Sequence, residues 1–371
     1  MPTPQSSPEW LLRLKVLPLR FFTNLAFSLN ELVRPRPPKP SKIIKIPRTI
    51  PDDESENGKR KRNGKNKELL LQVYHPSSHQ QSTLPKPMPL ELKPVVVNFH
   101  GSGFMLEHAT DDARWARSVT EYVDAIVVSV EYRLAPEHPF PAALDDGVEA
   151  LLWIIHHAEE LGVDPHRIAL SGFSAGGSLT FGVPMKLGEE MRKRKISAGN
   201  ECQQKEGTFQ EGFPPVNPHY SIVFIAAWYP SVDYSLTRAQ RRATNVRQDK
   251  NLPAWFTNLV DTCFLLGVDE ADKKLPWLSP ALAPAEMLKE YLPHDIVVRV
   301  CEWDELRAEA ENFCNRLVSE EGGRRGVGIK VIEGTTHGWD KRPSLNFRWD
   351  AGIEGVYKEV CVEMRKVFLK K

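Results

Sequence analysis

Net charge is almost absent from this chain: 49 Lys and Arg against 48 Asp and Glu leave a formal charge of +1 over 371 residues. Without a basic excess there is no electrostatic case for a nucleic-acid partner. Cysteine is scarce. The five present, Cys202, Cys263, Cys301, Cys314 and Cys361, are odd in number, widely spaced and form no C-x-x-C pair. They read as free thiols, not as a disulfide framework or a metal site, and point to a reducing, cytoplasmic compartment. The Asn-x-Ser/Thr glycosylation sequon is missing altogether, a second mark against secretion. A long uninterrupted apolar run is missing too. Residues 8–34 are rich in Trp, Leu and Phe, but Arg13, Lys15 and Arg20 interrupt them and Pro18 breaks or kinks any helix there. Charges inside the apolar region and the lack of a small-residue cleavage site exclude an ordinary signal peptide. Residues 1–40 are expected to form two short helices over the mouth of the domain as part of a lid. The alternative is an amphipathic helix lying on a membrane surface.

What is present begins with strands. Ser41 to Ile46 and Glu68 to Tyr74 read as the first two, separated by the charged stretch Asp52 to Lys65, which cannot build a core and reads as a solvated hairpin loop or a disordered insertion. From Pro94 onward short apolar runs alternate with helical stretches: Val95 to Phe99, Ala125 to Val130, Ile168 to Leu170, Ile222 to Trp228, Ile296 to Val300 and Ile329 to Ile332. This alternation predicts an α/β fold with a mostly parallel central sheet flanked by helices. A helix is predicted from Pro141 to Leu161, closed by Gly162. Two stretches depart from the alternation. Residues 186–219 are polar and read as an exposed insertion; residues 236–282 carry Trp255, Phe256, Phe264 and Trp277 among charges and read as lid helices over a pocket. The chain thus divides into residues 1–40 and a domain over 41–371.

The chemistry centres on Gly172-Phe173-Ser174-Ala175-Gly176, which follows the strand Ile168 to Leu170 and precedes a helix. Gly-x-Ser-x-Gly in that setting is a nucleophile elbow, a tight turn that lifts a serine hydroxyl from the end of a sheet. A serine hydroxyl is a weak nucleophile near neutrality, so it needs a histidine to take its proton and a carboxylate to hold that histidine. Both partners are expected after the elbow, acid before base, at strand ends. Asp304 follows the strand ending at Cys301, with Glu302, Glu305 and Asp340 as rivals, and His337 follows the strand ending at Ile332. Two backbone N–H donors must face the developing oxyanion. Ala175 supplies one, and the glycine-rich loop Gly101-Ser102-Gly103 after the strand Val95 to Phe99 supplies the other.

Together, His100-Gly101-Ser102-Gly103-Phe104, Tyr132-Arg133-Leu134-Ala135-Pro136-Glu137-His138-Pro139-Phe140-Pro141-Ala142-Ala143, Gly172 to Gly177 and the Asp304 and His337 segments resemble the hormone-sensitive lipase-like branch of the α/β-hydrolases. The resemblance runs from about Pro94 to the C-terminus. It implies an α/β-hydrolase fold, a lid from N-terminal and mid-chain helices, and a carboxylic ester hydrolase acting on short to medium acyl esters through an acyl-serine. No metal or organic cofactor is needed, and the expected partner is a small-molecule ester. Three departures stand out. Ser102 replaces the middle glycine of the family's His-Gly-Gly-Gly loop, Phe173 stands where an acidic residue is common, and Ala308-Glu309 keeps half of a second acidic pair. Two other readings remain: the same triad acting on a specialised amide, thioester or lactone, and a non-catalytic ligand-binding receptor, against which the presence of Ser174, Asp304 and His337 counts.

Overall fold

A computed structural model describes residues 8–30, 32–49, 68–77, 92–106, 108–201, 220–319, 323–341 and 348–370. Eight strands form one sheet: β1 (Lys42–Pro47), β2 (Glu68–Tyr74), β3 (Lys93–Phe99), β4 (Ile126–Glu131), β5 (Val163–Phe173), β6 (Ile222–Trp228), β7 (Asp295–Trp303) and β8 (Gly326–Thr336). Their order is β1-β2-β4-β3-β5-β6-β7-β8. β2 runs antiparallel to both of its neighbours, and every other pairing is parallel.

Parallel strands are buried on both faces, so consecutive side chains are mostly apolar yet serve two different cores. Val95, Val97 and Phe99 of β3 enter one apolar cluster while Val96 enters the other, and on β5 Leu170 and Ala169 divide in the same way. The first cluster is roofed by α3 (Ala142–His156), α5 (Ala175–Glu201) and α9 (Arg307–Val318), and the second by α2 (Ala113–Tyr122) and α10 (Ala351–Phe368). A third, smaller cluster joins α1 (Glu9–Asn30) through Leu12 and Val16 to Met105, Leu106 and Ala135 and to Val260 and Cys263 of α7 (Ala254–Phe264).

Several local expectations are corrected. The N-terminal segment is one helix with Pro18 inside it, not two short ones. Its two halves are held in line by contacts on either side of the proline: Leu12 and Val16 are buried before it, and after it Arg20 donates to the carbonyls of Met105 and Ala135 and to both carboxylate oxygens of Glu137 at 2.8–3.0 Å. The stretch 186–201, read as polar insertion, continues α5. The polar run is the outer part of a long helix whose first half is core. The helix predicted over 141–161 is two, α3 and the short α4 (Ala158–Leu161), parted at His157 and closed by Gly162 in the left-handed region at φ 68°. Within 236–282 lie α6 (Arg238–Thr244) and α7; α8 (Ala285–Tyr291) follows. The charged stretch 52–65, residues 202–219 and Cys202 lie outside the described residues. The four other cysteines are buried and in no disulfide, and burial pushes the Cys263 thiol up to about 11 and Cys314 up to about 12.

Candidate active site

The elbow is built by close approach. β5 ends at Phe173, Ser174 takes the left-handed conformation at φ 51°, and α5 begins at Ala175. A Cβ on Gly176 would lie 2.0 Å from the Phe99 carbonyl oxygen, and one on Gly172 would lie 2.3 Å from that of Gly176. Both positions therefore exclude any side chain. The Ser174 amide donates to the Trp228 carbonyl at 2.8 Å, which pins the turn to β6.

Three strand ends converge here. Ser174 Oγ lies 2.7 Å from His337 Nε2, and His337 Nδ1 lies 2.7 Å from Asp304 Oδ2. The second oxygen of Asp304 accepts the Leu306 amide at 3.0 Å, and the side chain is 1% exposed. Burial pushes the His337 pKa down, but the charge and hydrogen bond of Asp304, helped by Glu305, outweigh it, so the imidazole is held above its ordinary value. The rivals of Asp304 are engaged elsewhere. Glu302 accepts the Gly334 amide at 2.6 Å, Glu305 pairs with Arg238 at 2.8 Å, and Asp340 accepts from the hydroxyls of Tyr229 and Tyr357, each at 2.5 Å. Tyr229 in turn lays its ring edge-on to His337 at 4.8 Å between centroids, so Asp340 supports the base through a tyrosine.

The loop Gly101-Ser102-Gly103 shares a cavity of about 230 Å³ with Ser174, Ala175 and His337. Its shape is forced from below. His100 Nδ1–H donates to the Gly101 carbonyl at 2.7 Å, Tyr132 donates to the His100 carbonyl at 2.8 Å, and the rings of His100 and Tyr132 stack at 4.1 Å. Burial pushes the pKa of His100 down, keeping it a neutral structural group. Ser102 sits at φ 150° and Gly103 at φ 60°, both favouring glycine; the Ser102 hydroxyl reaches Tyr132 Oη at 3.1 Å and so is occupied away from Ser174. The Tyr132 to Ala143 segment thus serves as scaffold for this loop: Tyr132 props it from below, and Arg133 is held by a 2.9 Å ion pair to buried Asp146.

Sequence reasoning missed the groups that bind lid to sheet. Arg238 of α6 lines the cavity, bonds both oxygens of Asp261 on α7 at 2.6 and 2.7 Å and reaches Glu305, next to Asp304, at 2.8 Å. Arg241 on the same helix pairs at 2.9 Å with Glu309, which also accepts from the Val232 amide at 2.8 Å. Glu309 is the half-kept acidic pair, so the signal for this tie was present. Its partner on the lid was not legible. Leu106, Tyr234, Phe256 and Val260 give the cavity an apolar stretch of wall, and Ser231, Lys250, Asn251 and Thr257 line it as well.

Compared with known proteins, residues 96–341 match a family model described as alpha/beta hydrolase fold. The carboxylesterase NlhH of Mycobacterium tuberculosis is 31% identical over 251 residues, covering 66% of this chain and 66% of that protein. The hormone-sensitive lipase of Bos taurus is 36% identical over 118 residues, 30% of this chain and 16% of its own length. This chain thus spans just under two thirds of NlhH and far less of the lipase. In fold, an esterase from Pyrobaculum calidifontis superposes with a TM-score of 0.66 at 23% identity, covering 95% of this chain and 92% of that one.

Proposed function

The chain belongs to the α/β hydrolase fold family, in its hormone-sensitive lipase-like branch, and from that premise we propose that it hydrolyses carboxylic esters of short to medium acyl chain through an acyl-serine. The observation that carries this reading is the unbroken 2.7 Å relay from Ser174 Oγ to His337 and from His337 to Asp304. His337 Nε2 takes the serine proton as Oγ attacks the ester carbonyl. Asp304 accepts from Nδ1–H, so the other ring nitrogen is the bare one and the imidazolium that forms is stabilised. Backbone N–H groups of the Gly101 to Gly103 loop and of Ala175 hold the oxyanion, each contributing about 3 kcal/mol to the barrier's reduction. The imidazolium then protonates the leaving alcohol, and a water activated by His337 releases the acid.

Hydrolysis of p-nitrophenyl esters from acetate to long acyl chains, by the chain and by Ser174→Ala, tests this. Turnover that vanishes in the variant is expected, with a chain-length cutoff set by the apolar wall. Absence of Ser174-dependent turnover on every ester overturns it, and labelling by a fluorophosphonate then separates a specialised acyl substrate from a non-catalytic receptor. The reading extends to peripheral association with a membrane surface. It is favoured by the large exposed side chains of the N-terminal helix, Phe21 at 65% and Trp10 at 62%. Among the described residues no helix is long and apolar enough to cross a membrane.

A further inference from the structure

The helix α1 is amphipathic in an inverted sense. Its inner face needs only Leu12, Val16, Leu19 and the Arg20 clamp to seat it. The opposite face is also apolar: Trp10, Leu14, Leu17, Phe21 and Leu25 recur at spacings of three and four and stand 48–65% exposed. Such a stripe on one side of a helix is ordinarily the side that packs. Exposed Arg13 and Lys15 flank it.

Charge identifies the occupant. Of the nine basic side chains in residues 1–49, Arg20 is spent on Glu137 and Arg13, Lys45 and Arg48 pair with Glu9, Glu68 and Asp146, while Lys15, Arg34, Arg36, Lys39 and Lys42 stand exposed; only two acidic residues, Glu9 and Glu31, share the segment, in a chain whose total is only +1. An apolar stripe with a basic collar fits an anionic lipid surface, where aromatic and leucine side chains enter the acyl boundary and cations meet headgroups. The inner face of the same helix rests on Leu106, Phe256 and Val260, which also line the cavity, so one helix layer separates the stripe from the site. We propose that the outer face of α1 docks on an anionic lipid surface and sets the cavity against it, so that the ester substrate is drawn from the lipid phase. The docking step stands independently of the chemistry; only the substrate source rests on the ester-hydrolase reading.

The experiment is flotation of the full chain carrying Ser174→Ala with vesicles of phosphatidylcholine alone and with 30% phosphatidylserine by design, beside size-exclusion chromatography. The expected result is binding to the anionic vesicles, at least tenfold weaker in the Leu14→Ser/Phe21→Ser variant and about fivefold weaker in Lys15→Gln. In the parent chain, turnover of water-soluble p-nitrophenyl acetate is expected to survive Leu14→Ser/Phe21→Ser, while turnover of a vesicle-embedded ester falls with the binding. No flotation with either vesicle overturns the proposal. So does a dimer that Leu14→Ser/Phe21→Ser dissociates, because the stripe then belongs to a second copy. Flotation without Ser174-dependent turnover in the parent chain leaves docking established and overturns the ester-hydrolase reading and the substrate source alone.

Discussion

At Asp304 two effects on His337 are separable. Its carboxylate fixes the tautomer and, against the pull of burial, raises the imidazole pKa. A base works only when unprotonated, so kcat/KM is expected to fall as pH drops through that raised value, which lies above the ordinary 6.5. Asp304→Asn removes the charge and leaves burial to dominate: the maximum rate is expected to drop about 10⁴-fold, as for a wrong tautomer, and the residual acid limb to move to lower pH. An acid limb that stays in place would show that Asp304 does not govern His337. Glycines supply a second residue-scale contrast. Gly176→Ala puts a Cβ 2.0 Å from the Phe99 carbonyl oxygen and is expected to cost at least about 3 kcal/mol, whereas Gly355→Ala, exposed on α10 with nothing within 4 Å, is expected to stabilise by about 0.5–1 kcal/mol. Urea midpoints of the two variants check both signs.

At the scale of elements, α6 is the hinge of the site. Arg238 joins it to α7 through Asp261 and to the acid loop through Glu305, which is 3% exposed. Arg238→Met leaves Glu305 with Arg242 at 3.5 Å as its remaining ion-pair partner among the described residues, and an underpaired buried carboxylate costs about 3 kcal/mol. Arg238 lowers the His337 pKa while Glu305 raises it. The variant's acid limb is therefore expected to move to higher pH, opposite to Asp304→Asn, with KM rising more than kcat falls because the cavity wall loosens. A pH profile identical to that of the parent chain would reduce Arg238 to a purely structural brace.

Across the whole molecule, two kinds of cohesion divide the work. The sheet is held by apolar clusters on both faces; the lid over the cavity reaches the first of these through Phe264 and Leu278 and is otherwise tied by the ion pairs of Arg238 and Arg241 and by the small cluster under α1. Elements with few buried apolar contacts open at lower free energy than core strands. Turnover is accordingly expected to be lost at a lower guanidinium concentration than the tryptophan fluorescence of the core, where Trp115 and Trp228 are buried. Coincident midpoints would show that lid and sheet unfold as one unit.

Periodicity and turn chemistry made the sheet and the elbow readable, because each is local: two-sided burial needs continuous apolar runs, and a left-handed serine needs glycines beside it; the order Ser174, Asp304, His337 followed from the chain order that an elbow of this kind implies. The helices at 113–122 and 351–368 left a weaker trace, the first because it buries Arg114 and Ser118 among its apolar residues, the second because much of it faces solvent. What the sequence alone could not decide were the matters of partnership. Four carboxylates lay near the expected position of the triad acid, and folding assigned Glu302, Glu305 and Asp340 to a backbone amide, an arginine and two tyrosines, leaving Asp304 for His337. The same holds for the N-terminal segment. Its composition marked it as apolar, but only the packing of Leu12, Val16 and Arg20 showed which face is spent on the fold and which remains exposed. Pairing across tens or hundreds of residues is set by where the strands end in space, and that is a property of the tertiary structure.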